Sequence, residues 1–497
     1  MKRILLATVA SVAVSVGASA AELRVGMAIS PTSLGNPLVD TSYSGGFVLL
    51  GVYDLPTYGT AQGPQPGLLM SWRNTSPTTW EMRVRPNVRF HNNAALTAQS
   101  FADQINYLNS DEGKAKAINT LRNMANFISA KAINADTFEL TTRTPDPMAP
   151  ALIAAMRVIE MGHFKDVGFD QFGTKPIGTG PYKAVTWAAD RIELVPHTTG
   201  WRPGKIDKIT HRALPELASR VQAFQSDQID IGLQMAPDDV RAVEASNGKL
   251  FQNIAPQVIN LMIYQNKPGP AADVRVRQAL NYAVNKEAYI KSIMHGITVP
   301  AGQPATRAVN GYNPDVKPYP YDPQKAKQLL TEAGFGNGLE LKGEAVINVS
   351  EMRDVFTAVV QDVARVGVKL TINEITLADL FARVQQPARF GEASLFGFNF
   401  GSEPTIDFMR PINALHSCNT LTKWICFPDI EPTIKAANEE FDANKRRQLL
   451  FQIAKYYHEQ APAIFLHEEV QVDAIKNRVR NYNPVNRVVN WHEITVQ

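Results

Sequence analysis

Only two of the 497 residues are cysteine, Cys418 and Cys426. That scarcity excludes a disulfide-stapled scaffold, and the spacing is too wide for a C-x-x-C redox motif. Basic blocks are absent as well: 50 Lys and Arg against 47 Asp and Glu leave a formal charge of +3. No run tracks a phosphate backbone, so no nucleic-acid partner is expected. Past residue 20 no apolar run reaches the about 20 residues that a membrane helix needs. Internal repeats and low-complexity segments are missing too. Catalytic signatures are equally scarce. His458-Glu459 and His467-Glu468-Glu469 begin like a zinc-protease helix without the second histidine, and Ser44-Gly45-Gly46 lacks the glycine frame of a nucleophile elbow. No enzyme activity, cofactor or metal site is expected.

What is present begins with an export pattern. Lys2 and Arg3 precede the apolar run Ile4 to Val16, and Ala18-Ser19-Ala20 supplies the small residues of a cleavage site; residues 1–20 read as a signal peptide and the mature chain as a soluble periplasmic protein starting at Ala21. In that oxidising compartment Cys418 and Cys426 read as one disulfide, with a metal site including His416 as the alternative. The length is near three usual domains and predicts two or three lobes. The phrase PIGTGPYK (Pro176 to Lys183) resembles a phosphate cradle only superficially. Pro181 removes a backbone donor and a strand, not a helix, follows, so the glycines read as a tight turn feeding a sheet.

Alternation and punctuation place the elements. A strand is expected over Leu23 to Ile29, then a hairpin with arms Thr79–Arg85 and Val88–His91 about Pro86-Asn87. A helix over Leu96 to Leu108 is capped by Thr97. Asp273 starts one long helix ending at Gly296, and Asp322-Pro323 starts another ending at Gly334. Between Leu339 and Phe400, strands and helices alternate, with Val368–Ile375 and Ala393–Phe400 as strands, which predicts parallel pairing. A helix over Asn444 to Gln460 precedes a strand Ala463–His467, and Asp473 to Tyr482 returns late, so the C-terminus is expected to rejoin the first lobe.

Several phrases in fixed order resemble one family. They are WEMRVRPNVRFH (Trp80 to His91) followed by Leu96-Thr97-Ala98, PIGTGPYK, GWRPGK (Gly200 to Lys205), and DQIDI (Asp227 to Ile231). VRVRQAL (Val274 to Leu280), Tyr321-Asp322-Pro323, AKQLLTEAG (Ala326 to Gly334) and the stretch Arg447 to Pro462 with its QAPAIFLHE ending complete the set. The chain resembles the extracytoplasmic solute-binding proteins of ABC importers, family 5, which includes dipeptide, oligopeptide and nickel binders. The resemblance implies an α/β fold of two lobes, the type II periplasmic binding-protein fold. Lobe I would comprise residues 21–259 and 475–497, with an inserted subdomain at about 49–175, and lobe II residues 260–474. It also implies a monomeric receptor that captures a small ligand, first a short peptide, and delivers it to a membrane permease. An opine, a glycan, haem or chelated nickel is the alternative ligand, and a periplasmic sensor or chaperone the alternative role.

A ligand buried between closing lobes needs a few convergent polar groups in an apolar or aromatic cavity. The stretch FGFNFGSEPTID (Phe396 to Asp407) offers Phe398, Asn399, Glu403 and Asp407, unless its aromatics are core and Glu403 is solvated. In peptide-binding members this region carries a Trp and an Asp that receives the ligand ammonium. Here Phe398 stands where Trp is usual and Phe400 or Gly401 at the Asp position, so either Glu403 takes that role or the ligand has no free amine. Asn260, Tyr264 and Asn266 lie near the expected lobe crossing, Ser33, Asn36 and Tyr43 follow the first strand, and Arg383 and Arg389 are candidates for a ligand carboxylate. Each has an ordinary structural alternative, as an edge, turn or solvent-facing residue.

Overall fold

The structure is a computed structural model and describes residues 21–31, 33–39, 43–265, 268–347, 350–376, 379–380, 383, 391–420 and 425–497. The segment expected to be a signal peptide lies outside them. Among the described residues no helix is long and apolar enough to cross a membrane.

Ten strands form one mixed sheet in the order Val368–Ile375, Leu339–Val346, Leu395–Gly401, Gly248–Ile263, Ala463–Lys476, Ile231–Gly232, Glu22–Met27, Lys208–Ala213, Arg191–Pro196, Tyr182–Trp187. Glu22–Met27 is parallel to both of its neighbours, and Leu339–Val346 is parallel to Val368–Ile375 and Leu395–Gly401. The centre differs. There the 16-residue strand Gly248–Ile263 and the 14-residue strand Ala463–Lys476 run antiparallel along nearly their whole length.

Burial divides along these two strands. One core gathers Leu23, Val25, Phe47 and Ile209 with Phe138 of a separate four-stranded sheet and Phe101 of the helix Ala98–Leu108, and receives Trp491 and Ile494 from late in the chain. The Trp491 indole donates to the Phe47 carbonyl at 3.0 Å. A second core holds Ile259, Leu261 and Ile263 against the helices Val274–Ala283, Pro323–Glu332 and Ser350–Ala364. A third takes the opposite face of the same strand, with Val258, Met262 and Phe400 packed under Met409–Leu415 and Ala443–Gln460. Neighbours in sequence thus go to opposite cores, as period-two alternation in a doubly buried strand requires.

Local expectations fare unevenly. Val368–Ile375 and its parallel pairing are as expected, and the helix over Ala98–Leu108 carries its Thr97 cap with Ser100 completing a capping box. The hairpin is corrected: Thr79–Val84 pairs with Leu69–Ser76, and Arg89 makes only an isolated bridge to Ala95. The missed arm is mostly exposed, so it carries little apolar signal. The single helix from Asp273 is broken into Val274–Ala283 and Lys286–Ser292. Asn285 starts the second piece by accepting from the Ala288 N–H, while its own N–H goes to Asp362. The expected strands Ala463–His467 and the return from Asp473 belong to one strand, Ala463–Lys476. Its middle is polar, which hid its continuity.

PIGTGPYK runs against the end of the helix Tyr43–Val52. A Cβ on Gly178 would stand 2.3 Å from the Val52 carbonyl oxygen, and one on Gly180 2.5 Å from the Val52 carbonyl carbon. The Gly180 N–H donates to the Val52 oxygen at 2.9 Å. His91 locks the turn from the other side, taking the Gly178 N–H on Nδ1 and reaching the Gly180 carbonyl with Nε2. The glycines are there because backbone meets backbone. Cys418 and Cys426 form a disulfide with a Cα–Cα distance of 4.4 Å.

Gly180→Ala is expected to lower urea-unfolding stability by about 1 to 3 kcal/mol at unchanged m-value, since the backbone it meets cannot rotate away. An unchanged midpoint would show that the contact carries no constraint. Cys418→Ser should cost about 2 to 3 kcal/mol by releasing the loop in the unfolded state, read as a lower Tm that reducing agent reproduces in the parent protein.

Candidate functional site

The two long central strands pass from the first core to the other two, and their ladder shifts register twice on the way, the second time between Ile259 and Asn260, where Leu466 is skipped. Ile254 pairs with Val470 and Val258 with Glu468, so Ala255-Pro256-Gln257 bulges opposite Glu469 alone. Pro256 has no N–H for a ladder, which fixes the bulge there. The bulge aims Gln257 at the end of the neighbouring strand. Gln257 accepts from the Asn399 amide at 3.0 Å and donates to Glu403 at 2.9 Å.

Glu403 also binds Arg487 at 3.0 Å, and the other arm of that guanidinium reaches Glu469. A continuous polar chain, Asn399 to Gln257 to Glu403 to Arg487 to Glu469, therefore spans four separate segments at the crossing. Arg487 sits on a loop where Asn486 and Arg487 both adopt positive φ, of 49° and 64°. Burial, above all, and the adjacent Glu403 raise the Glu469 carboxyl above its ordinary value against the pull of Arg487. Its Oε2 is buried with no partner among the described residues.

The lobes also meet beside this chain. Met148, carried by the four-stranded subdomain, is buried among the third core's residues. A Cβ on Gly59 would lie 2.4 Å from the Pro404 carbonyl oxygen. Arg410 ties the Gly401 carbonyl at 2.9 Å to the Asn123 amide at 3.2 Å. Behind this contact Arg446 forms a buried fork with Asp407, at 2.7 and 3.0 Å. Burial alone would raise the Asp407 carboxyl; Arg446 and the donors Met409 N–H and Asn310 outweigh it and hold it below the aspartate value. Across the interface Asp146 accepts from Asn126 and the Met148 N–H and has no other side-chain donor among the described residues. Burial, with Asp407 nearby, pushes it up to about 6.

Of the residues singled out from sequence, Asn399 and Glu403 come together in the polar chain. Asp407 stands apart, with both oxygens taken by Arg446 and Asn310. Arg383 is bound to Glu344 in the strand Leu339–Val346. Ser33 and Asn36 build the turn after the first strand, through Ser33 Oγ to the Asn36 carbonyl and Asn36 to the Phe169 carbonyl and Leu38 N–H. Asn260 is buried on the third-core face, and Tyr264 is half-buried against the same core. Asn266 and Arg389 lie outside the described residues, as do the side chains of Tyr43 and Phe398. Sequence reading missed Gln257, Glu469, Arg487, Arg446 and Asp146. The signal available was the run Glu468, Glu469, Gln471, Asp473 inside an otherwise apolar strand, since buried polar groups need partners.

Two bodies with separate cores, joined by paired strands that cross between them, define the two-lobed periplasmic binding-protein fold. The model for bacterial extracellular solute-binding proteins, family 5 (Middle), matches residues 63–420, and the chain belongs to that family. It is similar to the glutathione-binding protein GsiB of Pectobacterium atrosepticum, 28% identical over 317 residues, covering 62% of this chain and 60% of the relative. It is also similar to heme-binding protein A of Haemophilus influenzae, 26% identical over 460 residues, covering 84% of this chain and 81% of the relative. In the first comparison the chain thus spans about 60% of the relative's length. Among solved structures it superposes on DppA of Helicobacter pylori in complex with peptide STSA, with a TM-score of 0.80, 21% identity, and coverage of 96% of this chain and 98% of that one.

The folded protein holds the Asp146 proton up to about 6, against 3.8 for a free aspartate. Its ionisation therefore subtracts stability as the pH climbs from about 4 to about 6, and the loss is complete above that window. Relative to Asp146→Asn, the parent protein should lose about 2 to 3 kcal/mol between pH 4 and 7 in urea unfolding. A difference that does not vary with pH would overturn this account of Asp146.

Proposed function

We propose that the chain is the periplasmic receptor of an ABC importer, that it holds a short peptide between its lobes at the strand crossing, and that it delivers this ligand to a membrane permease. It works as a monomer and without catalysis. One observation supports a peptide above the other solutes. The strand Leu395–Gly401 is covered on one side by Gly248–Ile263 along its whole length, but on the other side Leu339–Val346 pairs only as far as Gly397. From Phe398 onward that second edge has no strand partner among the described residues. An extended backbone ligand can add to such an edge through main-chain hydrogen bonds.

The site of this proposal comprises Phe398, Asn399 and Glu403 at that edge, with Gln257, Glu469 and Arg487 beside it. In this role Glu403 holds Gln257 and Arg487 in place. The relatives support a small-solute ligand, since they are binding proteins for glutathione, a dipeptide and heme, and the H. pylori neighbour holds the peptide STSA. Closure would be stabilised only by contacts that the ligand makes with both lobes, so affinity comes from a population shift between open and closed states.

Native mass spectrometry of the protein purified from its own periplasm, followed by denaturation, tests the reading. A set of short peptides released together is the expected result. A single non-peptide species would overturn the peptide assignment while leaving a receptor, and chromatography on a calibrated column checks the monomer.

A further inference from the structure

We propose that closing the lobes takes up a proton at Asp146, so that this receptor closes on its ligand more readily in acidic than in neutral medium. The inference rests on the hinged-receptor reading above and adds to it a control on closure that lies outside the ligand site.

Contacts on every side place Asp146 at the seam between the lobes. Its own lobe offers it neutral donors, the Asn126 amide at 2.9 Å and the Met148 N–H at 3.0 Å, and its carbonyl takes the Trp80 indole at 3.1 Å. Met148, two residues on, is buried among the third core's residues, which belong to the other lobe. The Trp80 ring lies 6.0 Å from the ring of Phe441, also of that lobe. The charged groups that face Asp146 stand across the seam as well: Arg446 on the helix Ala443–Gln460, and Asp407 on the turn after the strand Leu395–Gly401. With the lobes together Asp146 is only 7% exposed. Drawing them apart withdraws Met148 from its core and Phe441 from Trp80, and lets water reach the carboxylate.

The seam lacks a second cation. Arg446 gives both terminal nitrogens to Asp407, at 2.7 and 3.0 Å, and its Nε to the Ala437 carbonyl at 3.0 Å. Asp407 is held further by Asn310 and the Met409 N–H, so of the two acids it keeps the charge. Two carboxylates and one guanidinium in a dry contact leave one negative charge unmatched, and the acid with only neutral donors takes the proton. In the open state water solvates the same carboxylate and the penalty vanishes. The state that holds the proton more tightly gains as the pH falls. A closed-state carboxyl raised to about 6, against 3.8 for one in water, makes the closed-to-open ratio about ten-fold higher at pH 5 than at pH 7.

The test uses the full-length protein with a donor and an acceptor dye at K131C and K327C, exposed positions on the four-stranded subdomain and on the helix Pro323–Glu332 of the other lobe. Among the described residues no free cysteine competes for the dyes. Single-molecule energy transfer reads the closed-to-open ratio from pH 5 to pH 7, with the protein alone and with a degenerate tripeptide mixture that brings a scarce closed state into range. The parent ratio should fall about ten-fold across that window. D146N, uncharged in both states, should hold a ratio that varies less than about two-fold. D407N, which frees Arg446 for Asp146, should flatten the dependence too. A parent ratio indifferent to pH, or a D146N ratio that tracks the parent, would overturn the proposal and leave the hinged receptor standing. A single transfer efficiency under every condition would remove the hinge and the proposal with it. If D407N does not fold, the parent and D146N decide the matter.

Discussion

The constraint on which the molecule depends is that two strands must run unbroken out of one apolar core and into two others. Where the cores end, the strands lose the side-chain packing that would hold them, yet their polar groups are still shielded from water. Hydrogen bonds must then replace packing. The bulge at Ala255-Pro256-Gln257, opposite Glu469, is the point of exchange. It turns Gln257 out of the ladder and into the chain that links Asn399, Glu403, Arg487 and Glu469. Removing any one of these would strand a buried charge or amide, so the crossing is specified by polar matching more than by bulk apolarity.

The interface beside the crossing follows the same logic with one difference. Met148 places an apolar side chain from one lobe in the core of the other, while Asp146, two residues earlier, faces Arg446 and Asp407 without a cation of its own. Hydrophobic burial and an unrelieved carboxylate therefore act in opposite directions within three residues. Such an arrangement stabilises contact between the lobes without making it strong, which suits the hinged receptor proposed above.

Much of the architecture was legible in sequence because it rests on punctuation. Asp322 and Gly334 end a helix at both sides, Thr97 caps another, and the run Val368–Ile375 alternates cleanly. What escaped was structure whose cause is distant. The exposed strand Leu69–Ser76 has no apolar face to announce it. Ala463–Lys476 looked like two pieces because its polar middle is satisfied by residues such as Arg307, Arg487 and Tyr482, which only the fold brings near. For the site, a side chain's identity suggested Glu403 and Asp407, but their partners decide what each does. Arg446 takes up Asp407 and Arg487 pairs with Glu403, and neither partner lies close in sequence.

The central pairing also bears on how the chain can assemble. Gly248 meets Lys476, and Glu22–Met27 is bordered by strands that begin at Lys208 and Ile231. The central pairing therefore closes a loop that holds everything between Ile263 and Ala463, and loop closure over such separations is entropically opposed. The crossing is thus closed by contacts between residues far apart in sequence. It is held by polar matching across four segments, so opening it exposes hydrogen-bonded groups to water where opening a core would expose apolar surface.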